Sequence, residues 1–297
     1  MECTVELDDK RKLGYKNFGP SSLDEAAHIV FYLSGTPSTR NYLSKRQMEQ
    51  LSSKSDTCLL VIERPGFGIS DSKQRRTLLD YADDVQLLYT KVVPHGKKIS
   101  LIGYSGGGPF ALACAFKIPE ILNNVVVVCS LGPRSDKNST TGMYWFNKVG
   151  YFIAYQSSWL IEKAVGMDVA TFLANPKKKV LDDYKHNKAD HDYLVNNDDV
   201  LEMFAMSTKE CYEKNQHVTE AWEYHLFASD WGFNLEEINV PVQVFYGEKD
   251  TACTPSMSIC IASKIKKSSI HCINDQAHMV FFDQFERILQ TTKDTSI

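Results

Sequence analysis

The chain has 297 residues, 43% of them hydrophobic and 24% charged, with a formal net charge of -4. That length holds one large domain with an insertion or two ordinary ones, and the apolar share is enough for a sizeable core, which excludes a disordered chain. The weakly acidic balance offers no basic field for nucleic acid; Lys177, Lys178 and Lys179, like Lys264, Lys266 and Lys267, are short clusters that read as solvated faces.

The first ten residues lack the apolar core of a secretory signal and no window approaches the length of a membrane span, so a cytoplasmic location without a span is expected. Eight cysteines without a Cys-x-x-Cys spacing fit reduced, mostly buried thiols better than disulfides or a zinc site. The sequon Asn138-Ser139-Thr140 carries little weight without a secretory route.

From Cys3 to Leu13 the residues alternate well enough for a strand pair, and Ala27 to Leu33 is a continuous apolar run ending in Ser34-Gly35-Thr36-Pro37. Such a run, bounded by turn residues, fits a strand buried on both faces of a mostly parallel sheet. Thr57 to Ile62, Ile99 to Ile102, Asn124 to Cys129 and Val240 to Tyr246 have the same character, and Ile270 to Ile273 reads as the last strand. Helical patterns lie between them, Arg40 to Leu51, Leu78 to Val93 and Phe110 to Lys117. Strand and helix therefore alternate as in an α/β sheet with crossover helices, whose ligand edge is its carboxyl end.

The alternation stops after Gly132 and resumes at Val240. Between them Tyr151 to Val165, Asp192 to Met206 and Val218 to Phe227 are helical patterns, so a core of residues 1–132 and 233–297 with a helical insertion at 133–232 is expected. Most of the insertion's aromatic residues (Tyr144, Trp145, Phe146, Tyr151, Phe152, Tyr155, Trp159, Phe172, Phe204, Trp222 and Phe227) should glue its helices together, and the remainder should face a cleft.

Gly103-Tyr104-Ser105-Gly106-Gly107 matches Gly-x-Ser-x-Gly, directly after the apolar run at Ile99 and before the helical pattern opening near Pro109. The pentapeptide alone also fits a glycine-rich loop; strand before and helix after are what specify a nucleophile elbow. A serine on so tight a turn brings the residues two positions either side into close approach, so Gly103 and Gly107 must be small, and its hydroxyl is pushed off the sheet into a cleft.

These segments resemble the α/β-hydrolase fold superfamily in its capped esterase and epoxide-hydrolase-like branch, over nearly the whole chain. Lys12-Leu13-Gly14-Tyr15 with Phe18-Gly19-Pro20 is similar to the family's opening hairpin, Ser34 to Arg40 to its oxyanion loop, and Glu63-Arg64-Pro65-Gly66-Phe67-Gly68-Ile69-Ser70 to its Asp-Arg-Pro-Gly-x-Gly-x-Ser turn. The resemblance implies a mostly parallel eight-stranded sheet with flanking helices and a helical cap. It also implies catalytic partners in the order serine, acid, histidine. Asp250, in Gly247-Glu248-Lys249-Asp250, stands where the family keeps its acid, and His278, ending Asn274-Asp275-Gln276-Ala277-His278, is the base candidate. Asp136 and Asp275 are reserve acids, and among the other histidines His225 could line a pocket. The family's loop usually opens His-Gly; here it is Ser34-Gly35, so the support that histidine provides must come from elsewhere, while the backbone donors, assigned to Thr36 and Gly106, are unaffected.

The chemistry implied is acyl transfer to Ser105 with His278 as base, Asp250 as its orienting acid and no metal or organic cofactor. A hydroxyl nucleophile argues against the dehalogenases and epoxide hydrolases of this fold, which attack with a carboxylate. The expected substrate is a small, largely apolar carboxylic ester, or a thioester, lactone or amide. The alternative is a small-molecule receptor of the same fold with little turnover.

Overall fold

The computed structural model describes residues 2–20, 23–54, 56–136 and 138–294. Among them eight strands form one sheet: β1 (Glu2–Glu6), β2 (Lys12–Phe18), β3 (His28–Leu33), β4 (Thr57–Ile62), β5 (Ile99–Tyr104), β6 (Leu122–Val128), β7 (Val242–Gly247) and β8 (Ser268–Ile273). The order across the sheet is β1-β2-β4-β3-β5-β6-β7-β8, antiparallel at the first two pairings and parallel from β4 onward. This is the sheet implied by the resemblance. Every residue of β4 and β5 is buried, as the unbroken apolar runs require when helices cover both faces.

The helices are α1 (Lys45–Ser52), α2 (Leu78–Val92), α3 (Gly107–Lys117), α4 (Trp145–Gln156), α5 (Ser158–Ala174), α6 (Pro176–Tyr184), α7 (Lys188–Asn196), α8 (Asp198–Glu213), α9 (His217–Ala228), α10 (Pro255–Lys264), α11 (Val280–Asp283) and α12 (Phe285–Thr291). Caps move several boundaries away from those the apolar periodicity predicts. Ser44 and Gln47 form a capping box that starts α1 at Lys45, not Arg40. Ser157 caps α5 and divides the helix expected over Tyr151 to Val165, and Asn197 divides the one expected over Asp192 to Met206. No helix among the described residues is long and apolar enough to cross a membrane.

Helices α4 to α9 separate β6 from β7 in the chain. Phe172, Phe204 and Phe227 are buried as packing residues, but Trp145 (65% exposed), Phe146, Phe152, Tyr155 and Trp159 lie on the outside. Fewer of the aromatic residues serve as glue than the composition implies. Four of these five lie on α4, which packs on α5 and α9 yet buries only Ala154 fully, so most of its apolar side chains remain outside the packed face.

The loops that matter all leave the carboxyl edge. Leu33 ends β3, Tyr104 ends β5, Gly247 ends β7 and Ile273 ends β8. Because β3 has β4 on one side and β5 on the other, the segment after Leu33 sits where the winding reverses, the usual position of a ligand crevice in such sheets.

Candidate active site

Ser105 follows the last residue of β5 and holds φ at 53°, a left-handed backbone that costs a non-glycine residue energy and persists only where the surroundings fix it. Its N–H donates to Val128 O at 2.9 Å and its carbonyl accepts from Gly108 N at 3.0 Å, so the turn is pinned to β6 before α3 begins. A Cβ built on Gly103 would meet Ala111 Cβ at 2.7 Å, and one on Gly107 would meet Leu33 O at 2.0 Å. Both glycines are thus required by packing. Ser105 itself is half-buried.

His278 Nε2 lies 3.0 Å from Ser105 Oγ, and its Nδ1 lies 2.8 Å from Asp250 Oδ2. A carboxylate only accepts, so the proton sits on Nδ1 and the Nε2 lone pair faces the serine hydroxyl. The other oxygen of Asp250 accepts from the N–H groups of Ala252 (2.8 Å) and Cys253 (2.9 Å), which fixes the carboxylate in its loop. Burial opposes a charge on His278, but Asp250's charge and hydrogen bond, with Asp190, outweigh it and raise the imidazole above its ordinary pKa. Asp250 and His278 are 2% and 4% exposed, so the pair works in a medium of low dielectric.

The loop after Leu33 lies against the elbow. A Cβ built on Gly106 would meet Thr36 Oγ1 at 2.3 Å, and one on Gly35 would come within 3.4 Å of Ser105 Cβ, so Thr36 and Gly106 stand side by side next to the serine. The loop's support comes from Arg64, in the turn after β4: its Nη1 donates to Ser34 O (2.6 Å) and its Nη2 to Gly35 O (2.9 Å) and Thr36 Oγ1 (3.0 Å). Ser34 Oγ lies 2.6 Å from Ser38 Oγ and holds the loop's far side. Thr36 Oγ1 in turn donates to Glu223 Oε2 at 2.6 Å. Glu223, on α9, also accepts from Arg76 Nη2 at 2.6 Å, and burial opposes its charge while Arg64 and Arg76 outweigh it, leaving its pKa below the ordinary value. Two buried cations against one anion leave positive charge behind the loop, the sign that favours an oxyanion.

The remaining candidates are dispersed. Asp275 is paired with Lys249 and its side chain is 86% exposed, and Asp136 bonds the Asn138 N–H, so neither reaches the imidazole. His225 contacts Ala154 O through Nδ1 (2.7 Å) and packs beside Trp222, joining α9 to α4. Three neighbours of the site were not visible in the pattern of the sequence. Asp190 of α7 accepts the N–H groups of His278 (2.7 Å) and Met279 (3.1 Å); Arg64 carries the loop; and the buried Cys253 thiol contacts Ser105, its pKa pushed up by burial first and then by Asp250. Cys129, Asp250 and His278 bring donor atoms within 4.8 Å of one another. Asp250 and His278 are engaged with each other, and burial keeps the Cys129 thiol protonated, so this set is suited to hydrogen bonding and not to a cation.

Residues 27–285 match the family model described as serine aminopeptidase, S33. The chain is 20% identical over 241 residues to the uncharacterized hydrolase YugF of Bacillus subtilis (strain 168), covering 80% of this chain and 79% of that one. Among solved structures it is similar to the enol-lactonase from Burkholderia xenovorans LB400 (TM-score 0.70, 16% identity, 99% of each chain). It is also similar to the esterase EaEST from Exiguobacterium antarcticum (TM-score 0.67, 16% identity, 99% of this chain and 100% of that one).

Proposed function

As the chain belongs to the serine aminopeptidase S33 family of α/β hydrolases, we propose that it is a serine hydrolase cleaving a small, largely apolar carboxylic ester through an acyl-enzyme. Ser105 Oγ attacks the carbonyl carbon while His278 Nε2 takes its proton, and Asp250 steadies the imidazolium. The N–H groups of Thr36 and Gly106 receive the oxyanion. His278 then returns the proton to the leaving oxygen, and water repeats the sequence on the acyl-serine. The observation that carries this reading is the unbroken chain Ser105 Oγ to His278 to Asp250, at 3.0 and 2.8 Å, beginning at a serine with φ of 53°.

Helices α4 to α9 serve as the cap, with Phe227 of α9 an apolar side chain against Gly106. An aminopeptidase would need an acid to hold its substrate's ammonium. The three acids described around the elbow are committed, Asp250 to His278, Asp190 to two backbone N–H groups, and Glu223 to Arg64, Arg76 and Thr36. That commitment favours an uncharged ester, lactone or thioester over a free N-terminal peptide.

The test is fluorophosphonate labelling of wild type, Ser105→Ala and His278→Ala, followed by p-nitrophenyl ester turnover. Labelling and turnover in the wild type, both lost in the two variants, support the reading; a folded wild type that neither labels nor turns over overturns it in favour of a binding protein.

A further inference from the structure

Helix α7 touches both loops that carry the candidate acid and base, and does so within a single turn. Its N-cap residue Asn187 accepts from Ala189 N through Oδ1 (3.1 Å), which leaves the amide nitrogen free to point outward. That nitrogen donates to Lys249 O at 2.8 Å and to Thr251 Oγ1 at 3.2 Å, the residues on either side of Asp250. Three positions on, Asp190 accepts the N–H groups of His278 and Met279 through one oxygen, at 2.7 and 3.1 Å. The two loops also meet directly, Lys249 N donating to Gln276 O at 2.8 Å. A three-cornered arrangement of α7, acid loop and histidine loop results.

The position of Asp190 is not explained by its own helix. An acid three residues after an N-cap normally turns back to the cap's N–H as half of a capping box, whereas this one is spent on a segment of chain 88 positions away. It is also an expensive residue to bury: it is 3% exposed, and among the described residues its hydrogen bonds go to backbone N–H groups, with no cation paired to it.

We infer that Asn187 and Asp190 are positioning residues, through which α7 holds Asp250 and His278 in hydrogen-bonding register with each other and with Ser105. The inference rests on the proposed triad but is separable from it. Charge follows the same geometry. Asp250 from the acid loop, His278 from its own, Tyr184 from α6 and Cys129 from the end of β6 all face Asp190. Burial, then Asp250's charge, raises Asp190 to about 7, and its negative charge is one of the influences raising His278.

The experiment compares Asp190→Leu, which removes the acceptor, with Asp190→Asn, which keeps a carbonyl oxygen for both N–H groups, and with Asn187→Ala. On a p-nitrophenyl ester, Asp190→Leu is expected to lose about 100-fold in kcat with KM nearly unchanged, and Asn187→Ala about 10-fold, as for a displaced catalytic group. Asp190→Asn should recover most of the loss in kcat and move the acid limb of the kcat/KM profile to lower pH. The downfield proton resonance of Nδ1–H bonded to Asp250 reads the same register without turnover: present in wild type and Asp190→Asn, lost in Asp190→Leu. Wild-type kcat in Asp190→Leu, or retention of that resonance, overturns the inference. If Asp190→Leu does not fold, an unshifted pH profile in Asp190→Asn together with wild-type kcat in Asn187→Ala overturns it. Failure of the triad reading looks different: Ser105→Ala then labels and turns over like wild type, whatever the resonance does.

Discussion

Arg64 and Glu223 meet in a buried two-point ion pair, Nε to Oε1 at 2.6 Å and Nη2 to Oε2 at 2.9 Å, and the same guanidinium donates to the carbonyls of Ser34 and Gly35. A residue of α9 thereby sets the attitude of the loop beside Ser105. The planar fork of arginine is what makes this possible, since one group must satisfy a carboxylate and two carbonyls at fixed angles. This is support of the kind expected from elsewhere once Ser34 opens the loop in place of the histidine the resemblance implies.

On the proposed mechanism Arg64→Lys should therefore lower kcat by about 100-fold, because an ammonium cannot reach all these acceptors and the proposed loop donor drifts from the oxyanion. Glu223→Gln leaves Arg64 and Arg76 buried with no counter-ion and should cost about 3–5 kcal/mol of stability. Steady-state kinetics of the first and urea unfolding of the second check the two halves.

The acid limb of kcat/KM should report His278. Its pKa is raised, burial being outweighed by Asp250 and Asp190, and in the proposed mechanism only the neutral ring takes the serine proton. Activity is expected to climb with pH through a midpoint above the ordinary 6.5, and a midpoint at or below 6.5 in a pH–rate profile contradicts this.

Asp190 should make stability fall with pH over a defined window. Its folded pKa of about 7 exceeds the ordinary 3.8, so between these values the folded state holds a proton the unfolded chain has lost, and stability declines across that interval and levels above it. Relative to wild type, Asp190→Asn removes the decline, so its advantage in urea midpoint should grow from acid pH to about 7 and then stay constant.

Two glycines should behave oppositely. A Cβ on Gly107 meets the Leu33 carbonyl at 2.0 Å, so Gly107→Ala should cost about 3 kcal/mol or more, whereas Gly150 in α4 has open space around it, and Gly150→Ala should stabilise by about 0.5–1 kcal/mol. Thermal unfolding of both variants separates them.

The sheet was legible because β3 to β7 are buried on both faces, which forces unbroken apolar runs. Helix ends were less so: Ser44 and Ser157 set them through side-chain caps and Asn197 through a non-helical backbone, neither of which periodicity sees. Ser105, Asp250 and His278 could be nominated since each follows a strand in a known order. Asp190 could not, as an acid after Asn187 looks like an ordinary helix start, and its partners lie 88 residues away. The displaced histidine at Ser34 signalled that some support was needed, but not that Arg64 and a carboxylate 159 positions further on supply it.

The place of Glu223 has a bearing on how the molecule comes apart. The acid belongs to α9, while Arg64 and Arg76 precede β5, so peeling α9 from the sheet strips two fully buried guanidinium groups of the anion they share. A half-open state of that kind forfeits these ion pairs and the burial around them without the entropy released by global melting. Opening of α9 is thus coupled to loosening of the turn after β4 and of the loop after β3, because one guanidinium holds all three together.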